Sequence, residues 1–247
     1  MLKEERLQFI LTQINIHNKV LSSDLSVRLG VSEDTIRRDL SELVDNGQII
    51  KVHGGAISKA FHYQTFDREI YRREAKKEIA RKALDLIKDE MIILMGGGTT
   101  MVELARMIPE KLHCTFFTIS PVVALELAEN PTIDVHVIAG KLSSSTQTMT
   151  GAQTIAQLAD LSVDLCFLGT NSISVEDGVT DSDWEIVQVK KAMIKSAHET
   201  AMLSIAEKLN SRQKMKVCPL HELKYLITDL PSNDPMLSAY QQKMIVL

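Results

Sequence analysis

Three absences frame this sequence of 247 residues. Cysteine is scarce: Cys114, Cys166 and Cys218 stand apart, with no CxxC pair and no histidine beside them at metal-ligand spacing. That pattern excludes a disulfide scaffold and a cysteine-ligated metal, and the thiols are expected to be reduced, buried and cytoplasmic. Long hydrophobic runs are missing too. The longest aliphatic stretches, such as Met91 to Met95, fall far short of a bilayer, and the start Met1-Leu2-Lys3-Glu4-Glu5-Arg6 lacks the apolar segment of a signal peptide. No membrane role is expected. Finally, there is no excess of basic charge. The net charge is −4, and within residues 1–60 eight Lys/Arg are matched by eight Asp/Glu. A nucleic-acid partner therefore has to be argued from where the charges lie.

What is present fits an ordinary globular chain, 45% hydrophobic and 24% charged, long enough for two domains. Leu7, Ile10, Leu11 and Ile14 recur at helical spacing and predict a helix over 3–17, broken at Asn18 and Lys19. Ser22-Ser23 offers an N-cap for a short helix to Leu29, and Gly30 supplies a turn tolerant of positive φ. Ser32 caps the next helix, expected from Glu33 to about Asn46 and stopped at Gly47. Ile36, Leu40, Leu43 and Val44 form its apolar stripe; Arg38 and Asp34 lie opposite, with Thr35, Ser41 and Arg37 flanking them. Two short helices joined by a tight turn make a helix-turn-helix, whose second helix enters the major groove by its N-terminal end. Gln48 to His53, a Gly54-Gly55 turn and Ala56-Ile57-Ser58 predict a hairpin wing. Candidate DNA-contacting residues are Ser22, Ser32, Glu33, Asp34, Thr35, Arg37, Arg38, Lys51 and His53, since hydroxyls suit base edges or phosphates and arginine suits guanine or phosphate. Spacing alone leaves open a helical bundle with a hairpin used for protein contacts.

The run Val31-Ser32-Glu33-Asp34-Thr35-Ile36-Arg37-Arg38-Asp39-Leu40, followed by His53-Gly54-Gly55-Ala56, resembles the signature of the DeoR family of bacterial transcriptional regulators. The resemblance implies that Thr35, Arg37 and Arg38 lie near DNA and that Asp39 is a structural partner. Residues 61–82 are densely charged, with Ile70, Ile79, Ala80 and Ala83 among the charges. They read either as a hinge and entry helix or as a solvated tether. The resemblance continues faintly here, where an R-x-x-x-x-x-K-x-x-I-A type pattern usually leads into the family's sensor.

Beyond, short apolar runs alternate with helical patterns. Strands are expected at Met91–Met95, Thr115–Ile119, Val135–Ala139, Val163–Leu168, Ala201–Ile205 and Tyr225–Thr228, with helices near 100–108, 121–129, 152–161, 184–198 and 208–215. The expected fold class is α/β: an N-terminal winged helix-turn-helix (1–60), a charged connector (61–75) and a doubly wound, largely parallel α/β sensor domain (76–247). Ligands bind such sheets at the carboxyl ends of the strands, which here carry Gly96-Gly97-Gly98-Thr99-Thr100, Ser120, Gly140-Lys141 and Gly169-Thr170-Asn171, with Lys208 a little beyond the fifth. A triple glycine that ends a strand and opens a helix lets bare amides converge on an anion, although many glycine-threonine loops are only tight turns. Candidate effector contacts are Gly96, Gly97, Gly98, Thr99, Thr100, Ser120, Lys141 and Lys208. The tail Pro231–Leu247 carries no readable pattern.

Gly98-Thr99-Thr100, Leu125-Glu126-Leu127-Ala128, Phe167-Leu168-Gly169 and Val189-Lys190-Lys191-Ala192-Met193 are similar to the DeoR-family sensor, so the resemblance covers about residues 1–230. It implies a fold related to sugar-phosphate isomerases, a phosphorylated small-molecule effector on the Gly98-Thr99-Thr100 loop, and Lys208 as a second contact. The chain departs from the family pattern at four places. Gly96 replaces the aspartate of Asp-x-Gly-Thr-Thr, Ile119 the asparagine of Thr-Asn-Ser, Lys141 a glycine, and Ile205 an acid ahead of Lys208. Two lost polar groups remove partners for a sugar, and Lys141 would favour a more acidic ligand.

An isomerase needs a positioned carboxylate base. Gly169-Thr170-Asn171-Ser172 offers none, and nothing in the sequence fixes Glu176, Asp177, Asp181, Asp183 or Glu185 as one. The expectation is a non-enzymatic, cytoplasmic, homo-oligomeric repressor of duplex DNA that needs no metal or cofactor. The alternatives are an isomerase-like enzyme and a ligand-independent DNA-binding protein.

Overall fold

The computed structural model describes residues 1–59 and 70–247, in two compact units, Met1–Tyr71 and Arg72–Leu247. Most of the expected connector, 61–75, lies outside the described residues; its last three residues open a helix of the second unit.

The first unit runs α1 (Lys3–His17), β1 (Lys19–Leu21), α2 (Ser22–Leu29), α3 (Glu33–Asp45), β2 (Ile49–Val52) and β3 (Gly55–Ser58). The strands form an antiparallel sheet in the order β1-β3-β2. Ile10 and Ile14 of α1, Leu25 of α2, and Ile36, Leu40 and Leu43 of α3 meet Val20, Ile49 and Ala56 in one core. The α2–α3 turn passes through Gly30 at φ 63°. The Ser32 hydroxyl caps α3 by accepting from Thr35 N at 3.2 Å.

Three local expectations are corrected. Lys19 does not merely end α1 but opens β1, because β3 offers it a pairing partner. The N-cap of α2 is Leu21, without a side-chain cap; Ser22 is the first helical residue, and its N–H goes to Gly54 O at 2.8 Å. The wing turns at His53-Gly54, with Gly55 already in β3. Gly55 lies so close to β1 that a Cβ there would sit 1.9 Å from Val20 O, so no other residue fits.

One buried ion pair orients α3. Arg6 of α1 donates through Nε to Asp39 Oδ2 at 2.5 Å and through Nη2 to Asp39 Oδ1 at 3.0 Å. Hydrogen bonding to Asp39 raises the Arg6 pKa above its ordinary value.

The second unit is built on a seven-stranded, wholly parallel sheet. Its elements are α4 (Arg73–Leu84), β4 (Ile92–Met95), α5 (Thr99–Met107), β5 (Thr115–Thr118), α6 (Pro121–Ala128), β6 (Asp134–Val137), β7 (Lys141–Leu142), β8 (Met149–Thr150), α7 (Ala152–Ala159), β9 (Val163–Gly169), β10 (Ser172–Ser174), β11 (Gly178–Asp181), α8 (Trp184–Lys195), β12 (Ala197–Leu203), β13 (Met215–Cys218), β14 (Tyr225–Ile227), α9 (Ser238–Gln241) and β15 (Ile245–Val246). The strand order is β15-β14-β12-β9-β4-β5-β6. From the central pair the chain winds outward both ways, β4 to β6 on one side and β9 to β15 on the other. Right-handed crossovers then place α5 and α6 on one face and α8 on the other. The packing agrees, with α4, α5 and α6 in one group and α7 and α8 in another. A reversal of this kind opens a crevice at the carboxyl ends of β4 and β9, which pair in register at Met95 and Phe167.

The expected helix over 208–215 is absent. A 3₁₀ turn, Ala206–Lys208, is followed by Asn210 at φ 52°, which stops helical continuation, and β13 then pairs with β11. The tail that carried no pattern supplies the edge strand β15 and Tyr240. Tyr240 is fully buried, and its hydroxyl lies 3.1 Å from Ile173 O and accepts from Asn210 N at 3.0 Å. All three cysteines are free and buried, and burial raises each thiol, Cys218 to about 12.

Asp39→Ala should lower the stability of the first unit by about 1 to 3 kcal/mol, because it removes the charge-assisted hydrogen bonds of a part-buried guanidinium. Urea unfolding followed on the full chain measures this, and an unchanged first midpoint would show the pair to be dispensable.

Candidate nucleic-acid interface and effector pocket

The apolar stripe of α3 is consumed by the core, so its opposite face is what the unit can offer a partner. Ser32, Glu33, Asp34, Arg37 and Arg38 are exposed there, and Thr35 is half-buried. The Ser32 and Thr35 hydroxyls lie 3.0 Å apart and form the helix cap. Arg37 is held between Asp34 Oδ1 at 3.2 Å and Glu33 Oε2 at 3.4 Å; such exposed pairs are worth at most about 1 kcal/mol. Arg38 has no hydrogen-bonding or ionic partner among the described residues. From the wing, Lys51 Nζ donates to Ser41 Oγ at 3.1 Å, and His53 is exposed at the turn. The candidate residues thus fall on one exposed surface, except for Ser22. At 5% exposure, Ser22 belongs to the core side of the motif, which is a correction to its place among the candidate contacts.

In the second unit, the Gly96-Gly97-Gly98 loop joins β4 to α5. Gly96 N donates to Phe167 O at 2.9 Å, which ties the loop to β9. Gly98 adopts φ 115°, open only to glycine, and a Cβ on Gly97 would lie 2.3 Å from Thr148 Cγ2. The loop therefore delivers the first-turn amides of α5, which a helix leaves without internal partners, to the crevice. The Thr99 and Thr100 hydroxyls make no hydrogen bond among the described residues. Ser120 is buried, and its hydroxyl is engaged with Gln147 O at 3.4 Å and as the cap of α6.

Lys208, in the turn after β12, reaches Thr170 O at 2.7 Å. Burial, then the neighbouring charges of Lys76 and Lys190, push its pKa down to about 7 against the opposing pull of Asp181 and Glu207. Lys76 on α4 is 7% exposed, and its side chain makes no hydrogen bond or ion pair among the described residues. Burial lowers its pKa to about 8, with Glu103 and Glu207 pulling the other way. The sequence reading did not single out Lys76, leaving its segment open between an entry helix and a solvated tether. The signal was its place on the stripe of Ile79, Ala80 and Ala83, all buried.

Asp181 was also underread: it is held rigidly, not left loose in a loop. Its carboxylate is fully buried and accepts from Lys190 Nζ at 2.7 Å, Asn171 Nδ2 at 2.9 Å and Ser182 N at 2.7 Å. Burial acts to raise its pKa, but Lys190 and these donors outweigh it and leave the group below its ordinary value. Lys141 does not join the buried cations. It is exposed on the β7–β8 hairpin, 3.9 Å from Glu185. Among the described residues, no helix is long and apolar enough to cross a membrane.

A winged helix-turn-helix followed by a doubly wound unit with cations and free amides at its switch point defines a DNA-binding regulator with a sensor. Residues 6–60 match the DeoR-like helix-turn-helix domain and residues 72–230 match the DeoR C terminal sensor domain. The chain belongs to the DeoR family of transcriptional regulators. It is 32% identical to the HTH-type transcriptional regulator GlpR of Haloferax volcanii over 93% of this chain and 91% of that protein. It is also 32% identical to the HTH-type transcriptional repressor GlcR of Bacillus subtilis, over 93% and 89%. The translation initiation factor eIF-2B of Pyrococcus horikoshii shares the fold, with a TM-score of 0.50 and 17% identity over 92% of this chain and 88% of that one.

Arg38→Ala should weaken binding to the chain's tightest genomic fragment by about 10- to 100-fold at fixed salt, the worth of one arginine contact to a base edge. Arg37→Ala should cost less, since Arg37 must first leave two carboxylates. Equilibrium titration of both variants checks the order, and equal losses would argue against it.

Proposed function

We propose that the chain is a cytoplasmic, homo-oligomeric repressor that lays the N-terminal end of α3 in the major groove of an operator. In this reading a small phosphorylated metabolite in the β4/β9 crevice controls operator binding. The observation that carries the DNA half is Arg38, exposed and unpartnered on the face of α3 opposite the core. Paired half-sites would need paired recognition helices, hence an oligomer. The name of the Bacillus subtilis relative, a transcriptional repressor, favours repression over activation.

The effector half rests on groups that cost stability while unoccupied. The Lys76 side chain is largely buried yet makes no ion pair among the described residues, and Lys208 spends its ammonium on one carbonyl. Phosphate would supply the missing acceptors, while the Thr99 and Thr100 hydroxyls and the α5 amides would donate to its remaining oxygens. Anion binding would hold both lysines protonated, so the pocket is more cationic when filled than when empty at neutral pH.

Catalysis is disfavoured on the same geometry. The carboxylate at the end of β11 is committed to structure, since both oxygens of Asp181 are engaged by Asn171 and Lys190.

Replacing Thr99 and Thr100 together by alanine should abolish release from DNA by phosphorylated metabolites and leave binding in their absence intact. Titrating the labelled fragment with a metabolite panel tests this. An unaltered response would move the pocket elsewhere.

A further inference from the structure

The second unit has another concavity, which shares no lining residue with the β4/β9 crevice. It measures about 630 Å³ and opens among α8, β11, β13 and the turn Leu220–Glu222 that follows β13. A close approach of two backbones sets its floor. Gly178 opens β11 at φ 73°, and a Cβ there would lie 2.3 Å from Cys218 O, so only glycine lets β13 come in. The pairing of the two strands slips in register between Val179 and Thr180, beside that contact. Val217, Cys218 and Leu220 line the cavity and are buried.

The rim is basic. Lys191 and Lys195 stand one turn apart on α8, Lys216 lies on β13, and Lys243 follows α9. None of these four side chains makes a hydrogen bond or ion pair among the described residues. Elsewhere in the unit Lys77, Lys190 and Lys224 each hold a carboxylate, those of Glu74, Asp181 and Glu199. Of the acids on the rim, Asp177 lies 3.5 Å from Arg212, while the Glu176 and Glu222 side chains are uncommitted. Four ammonium groups against two free carboxylates leave two positive charges in excess. Like charges at i and i+4 work against a helix, and an anion among them removes that repulsion. Burial, then the charge of Glu222, raises the Cys218 thiol against the opposing pull of Lys190 and Lys191, so the rim charges are felt at the apolar floor.

Concavities of several hundred Å³ with an apolar lining and a few charged groups are the usual form of small-molecule sites. Unpaired ammonium groups select for an anion, and the floor selects for a ligand with an apolar body behind its charges. We propose that this cavity is a second ligand site, separate from the effector crevice, for a small polyanion carried on an apolar ring, the chemistry of a nucleoside diphosphate. The lysines hold the charged groups, and Val217, Cys218 and Leu220 receive the ring.

Calorimetric titration of the full chain with ADP, pyrophosphate and adenosine tests it. The wild type should bind one ADP per chain, about tenfold or more tighter than either fragment. Lys191→Gln combined with Lys216→Gln should weaken ADP by about tenfold or more, the worth of two charge-assisted contacts. Lys195→Gln combined with Lys243→Gln should do likewise, so a folding defect seen in the melting profile of one pair leaves the other to decide. Thr99→Ala with Thr100→Ala, which alters the crevice, should leave ADP affinity unchanged. A wild type that binds ADP no better than a fragment, or folded lysine variants that keep full affinity, overturns the proposal. Loss of ADP binding in the threonine variant also overturns it, by assigning that binding to the crevice. A wild type that binds no ADP overturns the second site and leaves the crevice reading standing.

Discussion

The Arg6–Asp39 pair decides which side of α3 the solvent sees. That helix carries five acids against two arginines, and nothing in its net charge directs it toward DNA. Taking Asp39 inward, 2% exposed and gripped by both arms of Arg6, removes one acid from the surface and locks the helix about its own axis. With Ile36, Leu40 and Leu43 packed below, Arg38 is left outward by rotation. Desolvation offsets much of the attraction in a buried ion pair, so its main contribution is orientation.

The sensor unit follows a related logic with the opposite outcome. Asp181 and Lys190 complete each other and are inert. Lys76 makes no side-chain ion pair and Lys208 one hydrogen bond to a carbonyl, and burial holds the pKa of each well below its ordinary value. Proteins tolerate such local deficits where a ligand makes up the difference, because stability is given up at the site and recovered elsewhere in the core. Here that core is the wholly parallel sheet, with Leu94, Cys166, Leu168 and Met202 buried at its centre.

Legibility in the sequence followed the strength of local patterning. The first unit was readable almost residue by residue, because Ser32, the Ile36-Leu40-Leu43 stripe and the glycines at 30 and 54 are local signals. Six of the seven strands of the large sheet were visible as short apolar runs. The seventh, Ile245–Val246, is too short to show any period and exists only because β14 pairs with it. The small sheet β10-β11-β13 was hidden for a similar reason: its polar strands are joined through long-range pairing, and Met215 read as helical until β11 was there to receive it. Of the proposed pocket, the glycine loop and Lys208 were candidates by their position at strand ends. Lys76 was not, since a charged residue on a charged segment looks solvated until the burial of its neighbours is known.

The central claim is that the leading end of α3 rests on base edges. Dimethyl sulfate protection on the tightest-binding fragment tests it directly, because guanine N7 in the major groove is the atom an arginine fork covers. Wild-type chain should protect guanines in half-sites about one helical turn apart, and Arg38→Ala should uncover one guanine in each. Protection that is absent from the major groove, or unchanged in the Arg38→Ala variant, would contradict the account.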